Sequence, residues 1–339
     1  MKAALCTRDI GPRNILKLIA SALTRKGVEP IEFYDGQGNP VLDDDTKILI
    51  LGMSSSEELA KEEVYMADEA IKRRVETFYV ADTFGSWNRP WFEDVITRSE
   101  EWANIFVINE EEAQFAKEKY PNARVTVTGN PCWDGFFFPR NTREMVRLPL
   151  GINNGERVML CPWGKSKEVN ILHGKKAIEV AGQTGVGLVI ISPHPRDENP
   201  LEDYYEPVCK ASRVNIRFIT QDQMSGPDLI PGADIVFESA STIGIEAVCQ
   251  RVPVVDWFSE IALARLERAT GSRLWPLCEQ GAALLYQNSD DLGLITSRIR
   301  GEDNDYRIRL EVLYPKPERK GIALEKMIEA IEKVAVLTH

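Results

Sequence analysis

One stretch of this chain gathers the residue types that hold an anion. Residues 233–256 read ADIVFESASTIGIEAVCQRVPVVD. An apolar run ends at Phe237, a loop of small residues follows (Ser239, Ala240, Ser241, Thr242), and a helical pattern begins near Ile243. The first N–H groups of a helix have no partner within it, and the positive end of its dipole points outward. With the hydroxyls of Ser241 and Thr242 beside them, such groups suit a diphosphate. Glu246, one turn further on, could reach a ribose hydroxyl if a nucleotide sat there. An ordinary hydroxyl-capped crossover helix with a solvated glutamate fits the same spacing.

Three other loops carry candidate chemistry. In LVIISPHPRDENP (188–200) an apolar strand runs into His194, Arg196 and Asp197, with prolines stiffening the loop. Arg196 could make a two-pronged contact to phosphate. In LCPWGKSK (160–167) a strand meets Gly164 and two lysines, and Lys165 or Lys167 could neutralise phosphate charge. Asp82 stands at the end of another strand pattern, where a general base could take the proton of an acceptor hydroxyl, or where a carboxylate simply caps a loop. Asp9 and Arg13 fill the first strand-to-helix loop. Trp87, in an aromatic loop with Asn88 and Arg89, could stack on a sugar ring.

These loops need strands and helices to present them, and the chain has both in alternation. Ala3–Cys6, Pro30–Phe33, Lys47–Leu51, Thr77–Ala81, Ile105–Ile108 and Val125–Thr128 read as strands, with helices at 13–26 and 57–74 between them. Polar residues and breakers cluster at 139–156, after which the pattern restarts. Strands are expected at Val158–Cys161, Gly187–Ile191, Val214–Ile219, Asp234–Phe237 and Val252–Asp256, with helices at 172–184 and 243–249. Ile322, Leu324, Met327, Ile328, Ile331, Val334 and Val336 mark an amphipathic helical tail. The expected fold is therefore α/β, with two doubly wound Rossmann-like domains facing a central cleft. The domains are 1–140 and 156–320; a C-terminal helix at 321–339 has a crossing back to the first domain open to it.

Composition narrows the functional classes. A chain of 339 residues with 43% hydrophobic and 27% charged residues can fill two cores without staples. Six scattered cysteines show no metal-ligand spacing, and only three histidines occur (His173, His194, His339). No metal site is expected. A net charge of −11 disfavours nucleic acid as a partner without excluding a local basic cleft. With no transmembrane run and no secretory leader, the expected location is cytoplasmic.

The 233–256 segment resembles the nucleotide-sugar motif of GT-B glycosyltransferases, including its E-x7-E form. Glu238 and Glu246 have that spacing, and Glu246-Ala247 and Pro253-Val254-Val255 follow in register. SASTIGIEA is equally similar to the corresponding loop of lipid A disaccharide synthase and of UDP-N-acetylglucosamine 2-epimerases. Ser241 and Arg251 stand where glycine is common in that superfamily. Thr128-Gly129-Asn130-Pro131 resembles the sequence that ends the N-terminal domain in the epimerases.

The resemblance implies a glycosyltransferase using a nucleotide-diphosphate sugar such as a UDP-sugar, with no cofactor and no required metal. Lys165, His194, Arg196, Glu238, Ser241, Thr242 and Glu246 would bind the donor. Asp9, Arg13 and Trp87 would bind an acceptor of unknown identity, and Asp82 would be the base. Other readings are a 2-epimerase-like isomerase, a CDP-glycerol-type glycerophosphotransferase and a non-catalytic nucleotide-sugar binding protein. The PWGKSK loop departs from the arginine-rich loop of the epimerases.

Overall fold

The computed structural model describes residues 1–34, 41–210, 212, 214–270 and 273–337, with backbone alone at 269–270 and 335–337. His339 and the side chain of Val336 therefore lie outside the described residues. The chain forms two compact units, Met1–Asp134 with the segment from Pro317 onward, and Gly135–Lys316. The polar stretch 139–156 thus belongs to the second unit.

The N-terminal unit is built on β1 (Lys2–Cys6), β2 (Glu29–Phe33), β3 (Thr46–Leu51), β4 (Glu76–Val80), β5 (Ala103–Val107) and β6 (Arg124–Val127). They form one parallel sheet in the order β2-β1-β3-β4-β5-β6. Strands β4 and β5 are buried along their whole length, as expected of a parallel sheet covered by helices on both faces. One covering helix, Ile10–Arg25, lays Ile15, Leu16 and Ile19 on the sheet. The tail helix, Ile322–Leu337, adds Met327, Ile328, Ile331 and Val334 to the same cluster. Each such side chain, taken fully out of water, contributes roughly 1.5–3 kcal/mol. Helix Glu57–Arg73 starts where the sequence places hydroxyl caps: Ser56 accepts the Leu59 N–H.

The C-terminal unit has β7 (Val158–Pro162), β8 (Leu188–Ser192), β9 (Asn215–Phe218), β10 (Ile235–Glu238), β11 (Val254–Asp256) and β12 (Leu284–Leu285). Its parallel order is β12-β11-β10-β7-β8-β9. The winding direction reverses between β7 and β10, which opens a crevice at their carboxyl ends. The two-residue β12 carries no periodicity and is invisible to sequence patterning. Among the described residues no helix is long and apolar enough to cross a membrane.

The opposite edge of this sheet is held by a buried ion pair. Arg147, on helix Arg143–Arg147, is 2% exposed. Its Nη2 donates to Asp234 Oδ2 at 2.7 Å, its Nε to the Gly232 carbonyl at 2.9 Å and its Nη1 to the Glu156 carbonyl at 2.9 Å. Asp234 also takes Arg143 at 2.5 Å and the Val158 N–H at 2.8 Å. Removing one partner of a buried pair leaves desolvated charge behind. Arg147→Met is expected to destabilise the C-terminal unit by about 3 kcal/mol, read from its urea midpoint; a loss below about 1 kcal/mol would contradict this reading.

Candidate functional site

The crevice at the β7/β10 reversal contains a cavity of about 620 Å³. Its walls come from four loops of one unit: Trp163–Lys165 after β7, Ser192–Pro195 at the end of β8, Gln221–Pro227 after β9, and Ser239–Ile243 after β10. Lys165, His194, Ser241, Thr242 and Glu246, far apart in sequence, all line it. A second hollow of about 710 Å³ shares Gly164, Lys165, Asn170, Ser239 and Ala240 with the first, and extends to Phe258, Arg265 and Trp275.

The loop after β10 is set by groups beneath it. Ser241 caps helix Thr242–Cys249, its hydroxyl accepting the Ile243 N–H at 3.2 Å. Ala240 takes a left-handed backbone (φ 51°), a conformation that disfavours any side chain. Under the loop lies Glu238, fully buried, with Oε2 accepting the Ser241 N–H at 2.5 Å. A Cβ on Gly244 would come within 2.1 Å of Glu238 Oε1, so only glycine lets the helix pass so close. Burial first, and then repulsion from Asp256, push the Glu238 carboxyl well above its ordinary range. Burial likewise raises Asp256, which also accepts the Cys278 thiol at 3.1 Å. Buried together, the two carboxyls disfavour carrying both charges at once. Glu238 accordingly positions the loop from below and does not line the cavity.

The Thr242 amide and hydroxyl have no protein partner among the described residues, so the helix start is open to an anion. Glu246, one turn on, is almost wholly buried, and burial followed by the charge of Asp228 pushes it up to about 7. His194 accepts the Arg196 N–H at Nδ1 (2.9 Å), leaving Nε2–H as the donor of the neutral ring. Partial burial, then the charges of Lys165 and Arg196, hold its pKa below the usual value. Arg196 itself is exposed and outside the cavity lining. Its peptide N–H fixes the histidine, and its charge acts on the ring from outside the lining. Lys167 is engaged by Asp203 at 2.5 Å.

Sequence patterning overlooks the residue that joins two of these loops. Asn170 is 1% exposed on helix Lys167–Thr184. It accepts the Gly164 N–H at 3.0 Å and donates to the Gly164 carbonyl at 2.9 Å and to Asp197 at 3.2 Å. The available signal was a polar residue in the apolar phase of the helix, shared with His173. His173 also lines the cavity, stacked on Phe237 at 5.2 Å, and burial lowers its pKa to about 4. Gly174, with a Cβ position 3.0 Å from Trp163, makes room for the indole.

The N-terminal candidates fare differently. Asp82 follows β4, accepts the Ser86 hydroxyl at 2.9 Å and pairs with Arg89 at 3.5 Å. Its Oδ2 would lie 2.6 Å from a Cβ at Gly11. Burial raises its pKa against the opposing effects of Arg89 and Ser86, the direction a base near neutrality needs. Asp9 accepts the amide and hydroxyl of Ser55 at 2.9 and 2.5 Å. Burial raises Asp9, but these bonds outweigh it and keep the carboxyl below its ordinary value. Arg13 donates to the carbonyls of Arg8 and Tyr34 at 3.1 and 2.6 Å, closing the loop onto itself. Trp87 turns inward to the core beside Tyr79 and Phe92, at 7% exposure, which removes it as a stacking platform. Its place in a loop hid an apolar demand that the packing satisfies.

No protein-family model matches the chain, and no curated protein sequence does. Solved structures do match, over nearly its whole length. MnaA of S. aureus, determined with UDP, has a TM-score of 0.59 at 12% identity, covering 99% of this chain and 97% of its own. The UDP-GlcNAc 2-epimerase of Methanocaldococcus jannaschii gives 0.57 at 15%, covering 98% and 100%. A glycosyltransferase of Rickettsia africae gives 0.55 at 10%, covering 98% of each chain. The chain has the two-Rossmann-unit GT-B fold these structures share.

The buried Glu246 carboxyl yields a prediction of known sign. Between roughly pH 4.5 and 7 the folded state keeps a proton that the unfolded state has lost, so stability falls as pH rises through that window. Glu246→Gln removes this penalty. It should exceed the wild type in stability by about 3 kcal/mol at pH 8 and match it at pH 4, measured by urea denaturation. Equal differences at both pH values would contradict a raised Glu246.

Proposed function

We propose that the chain is a GT-B-type glycosyltransferase whose C-terminal unit binds a nucleoside-diphosphate sugar. The observation that carries this reading is the convergence of Lys165, His194, Ser241, Thr242 and Glu246 on one cavity at the sheet's reversal point. The diphosphate would sit on the open helix start at Thr242, with Lys165 supplying the balancing charge and His194 Nε2–H a further donor. Charge that builds on the departing diphosphate is stabilised by groups already in place, so the proposal assigns no metal to the reaction. Glu246 would hold the ribose, since a carboxyl with a pKa of about 7 can accept from a hydroxyl or donate to one. Asp82 would take the acceptor's proton, its raised pKa suiting the task.

UDP is the first nucleotide to try, because MnaA was determined with it. An epimerase reading has one specific support, the presence of UDP-GlcNAc 2-epimerases among the similar structures. Incubation with UDP-GlcNAc alone separates the two: interconversion at C2 favours the isomerase, and acceptor-dependent release of UDP the transferase.

UDP at about 100 times its dissociation constant should stabilise the folded chain by about 2.7 kcal/mol, a thermal shift of several degrees. Lys165→Ala and Glu246→Ala should each weaken UDP roughly 10-fold. Asp82→Asn should keep UDP affinity while turnover falls about 100-fold or more. No shift with any nucleoside diphosphate would defeat the binding assignment. Undiminished turnover in Asp82→Asn would defeat the base.

A further inference from the structure

The amino edge of the C-terminal sheet, opposite the edge just described, carries a separate and larger cavity of about 1170 Å³. It lies within one unit, under the residues that lead into β10 and β11 (Ala233, Asp234, Val252, Pro253). None of the residues lining the first cavity lines this one. Its lining is cationic in a chain of net charge −11: Arg143, Arg251, Arg298, Arg300, Arg307 and Lys316 face three carboxylates.

Two of those carboxylates are already used. Asp234 is shared by Arg143 and Arg147, and Asp303 takes Arg298 Nε at 3.0 Å and the Tyr306 N–H at 3.0 Å. Among the described residues Arg251 donates to carbonyls alone, those of Val248 at 3.0 Å and Tyr314 at 2.7 Å, and makes no ion pair. It also holds a left-handed backbone (φ 64°), a conformation glycine would adopt without strain. Arg300 and Arg307 are exposed and make no ion pair among the described residues.

The decisive group is Arg298. Its side chain is 9% exposed and stacked 3.8 Å over the Tyr306 ring, yet its buried Nη1 has no hydrogen-bond partner among the described residues. The guanidinium is paired with Asp303 through Nε, but a buried donor without a hydrogen bond is still costly, and an anion reaching it would recover that cost. Gln250, elsewhere in the same lining, carries a buried amide oxygen that also lacks a partner among the described residues, an acceptor suited to a hydroxyl.

We propose that this cavity binds a phosphorylated polyol, a sugar phosphate or a nucleoside monophosphate. The phosphate meets Arg298, Arg300 and Arg307, and a hydroxyl of the ligand donates to Gln250. The apolar remainder of the lining, such as Val252, Ile299 and Leu310, receives the carbon skeleton. The site is independent of the nucleotide-sugar reading, since it shares no residue with that cavity. Asp234 and Thr242 bracket the same strand, β10, so an occupant here touches the segment that leads to the other loop.

Calorimetry on the full chain tests this with glucose 1-phosphate and AMP as separate probes, and with uridine as a phosphate-free control. The expected result is binding of one or both phosphates and none of uridine; whichever binds identifies the source. The exposed double variant Arg300→Glu/Arg307→Glu should weaken that binding by at least about 10-fold, with UDP affinity unchanged. Arg298→Met, checked for folding by circular dichroism, should abolish it. Hydrogen exchange should slow at residues 298–311 on addition of the phosphate. The proposal is overturned if neither phosphate binds, if the double variant binds as the wild type does, or if protection appears at 239–246 instead.

Discussion

The candidate site depends on one buried carboxyl. Glu238 sits under the loop that follows β10, out of reach of solvent, and its oxygen holds the Ser241 amide at 2.5 Å. That bond turns the chain sharply enough for Ser241 to cap the next helix, which leaves the Thr242 amide facing the cavity. The same carboxyl excludes any side chain at Gly244 and presses on Asp256 of the neighbouring strand. A loop of small hydroxylic residues would otherwise have many conformations. The Glu238 contact restricts it, and the left-handed backbone at Ala240 is the cost.

From this constraint the rest of the cavity follows by topology. The sheet reverses between β7 and β10, so the loops after these strands diverge and leave a crevice. Asn170 closes one side by tying Gly164 to Asp197, and the Arg196 peptide turns His194 so that only Nε2 can donate. Charge is then distributed with little waste: Lys165 faces the cavity while Lys167 is paired outside it. In the N-terminal unit Asp9 is committed to Ser55 and Arg13 to two carbonyls, while burial raises the pKa of Asp82 as it does those of Glu63 and Glu112.

Much of this was legible in the chain because parallel sheets write themselves as short apolar runs between helices. Eleven strands were placed within a few residues by that pattern, and the twelfth, Leu284–Leu285, was too short to have one. The hydroxyl loop and Glu246 were visible for a local reason, since helix capping and dipole chemistry act over a single turn. Glu238 was visible by its spacing but not by its role, because only the fold shows that its oxygens point beneath the loop. Trp87 was misread for the converse reason: a loop residue looks available until neighbours bury it. The cationic cavity at the other edge escaped notice altogether. Its arginines come from three separate segments, at Arg143, Arg251 and Arg298–Arg307, which no local pattern connects.

The central claim is that the Glu238-held loop and its helix start receive the diphosphate of a nucleotide. Amide hydrogen exchange with and without saturating UDP tests it most directly. The account expects exchange to slow at 239–246 and at 163–165, the segments that line the cavity. Protection absent from both segments, with UDP bound, would contradict it.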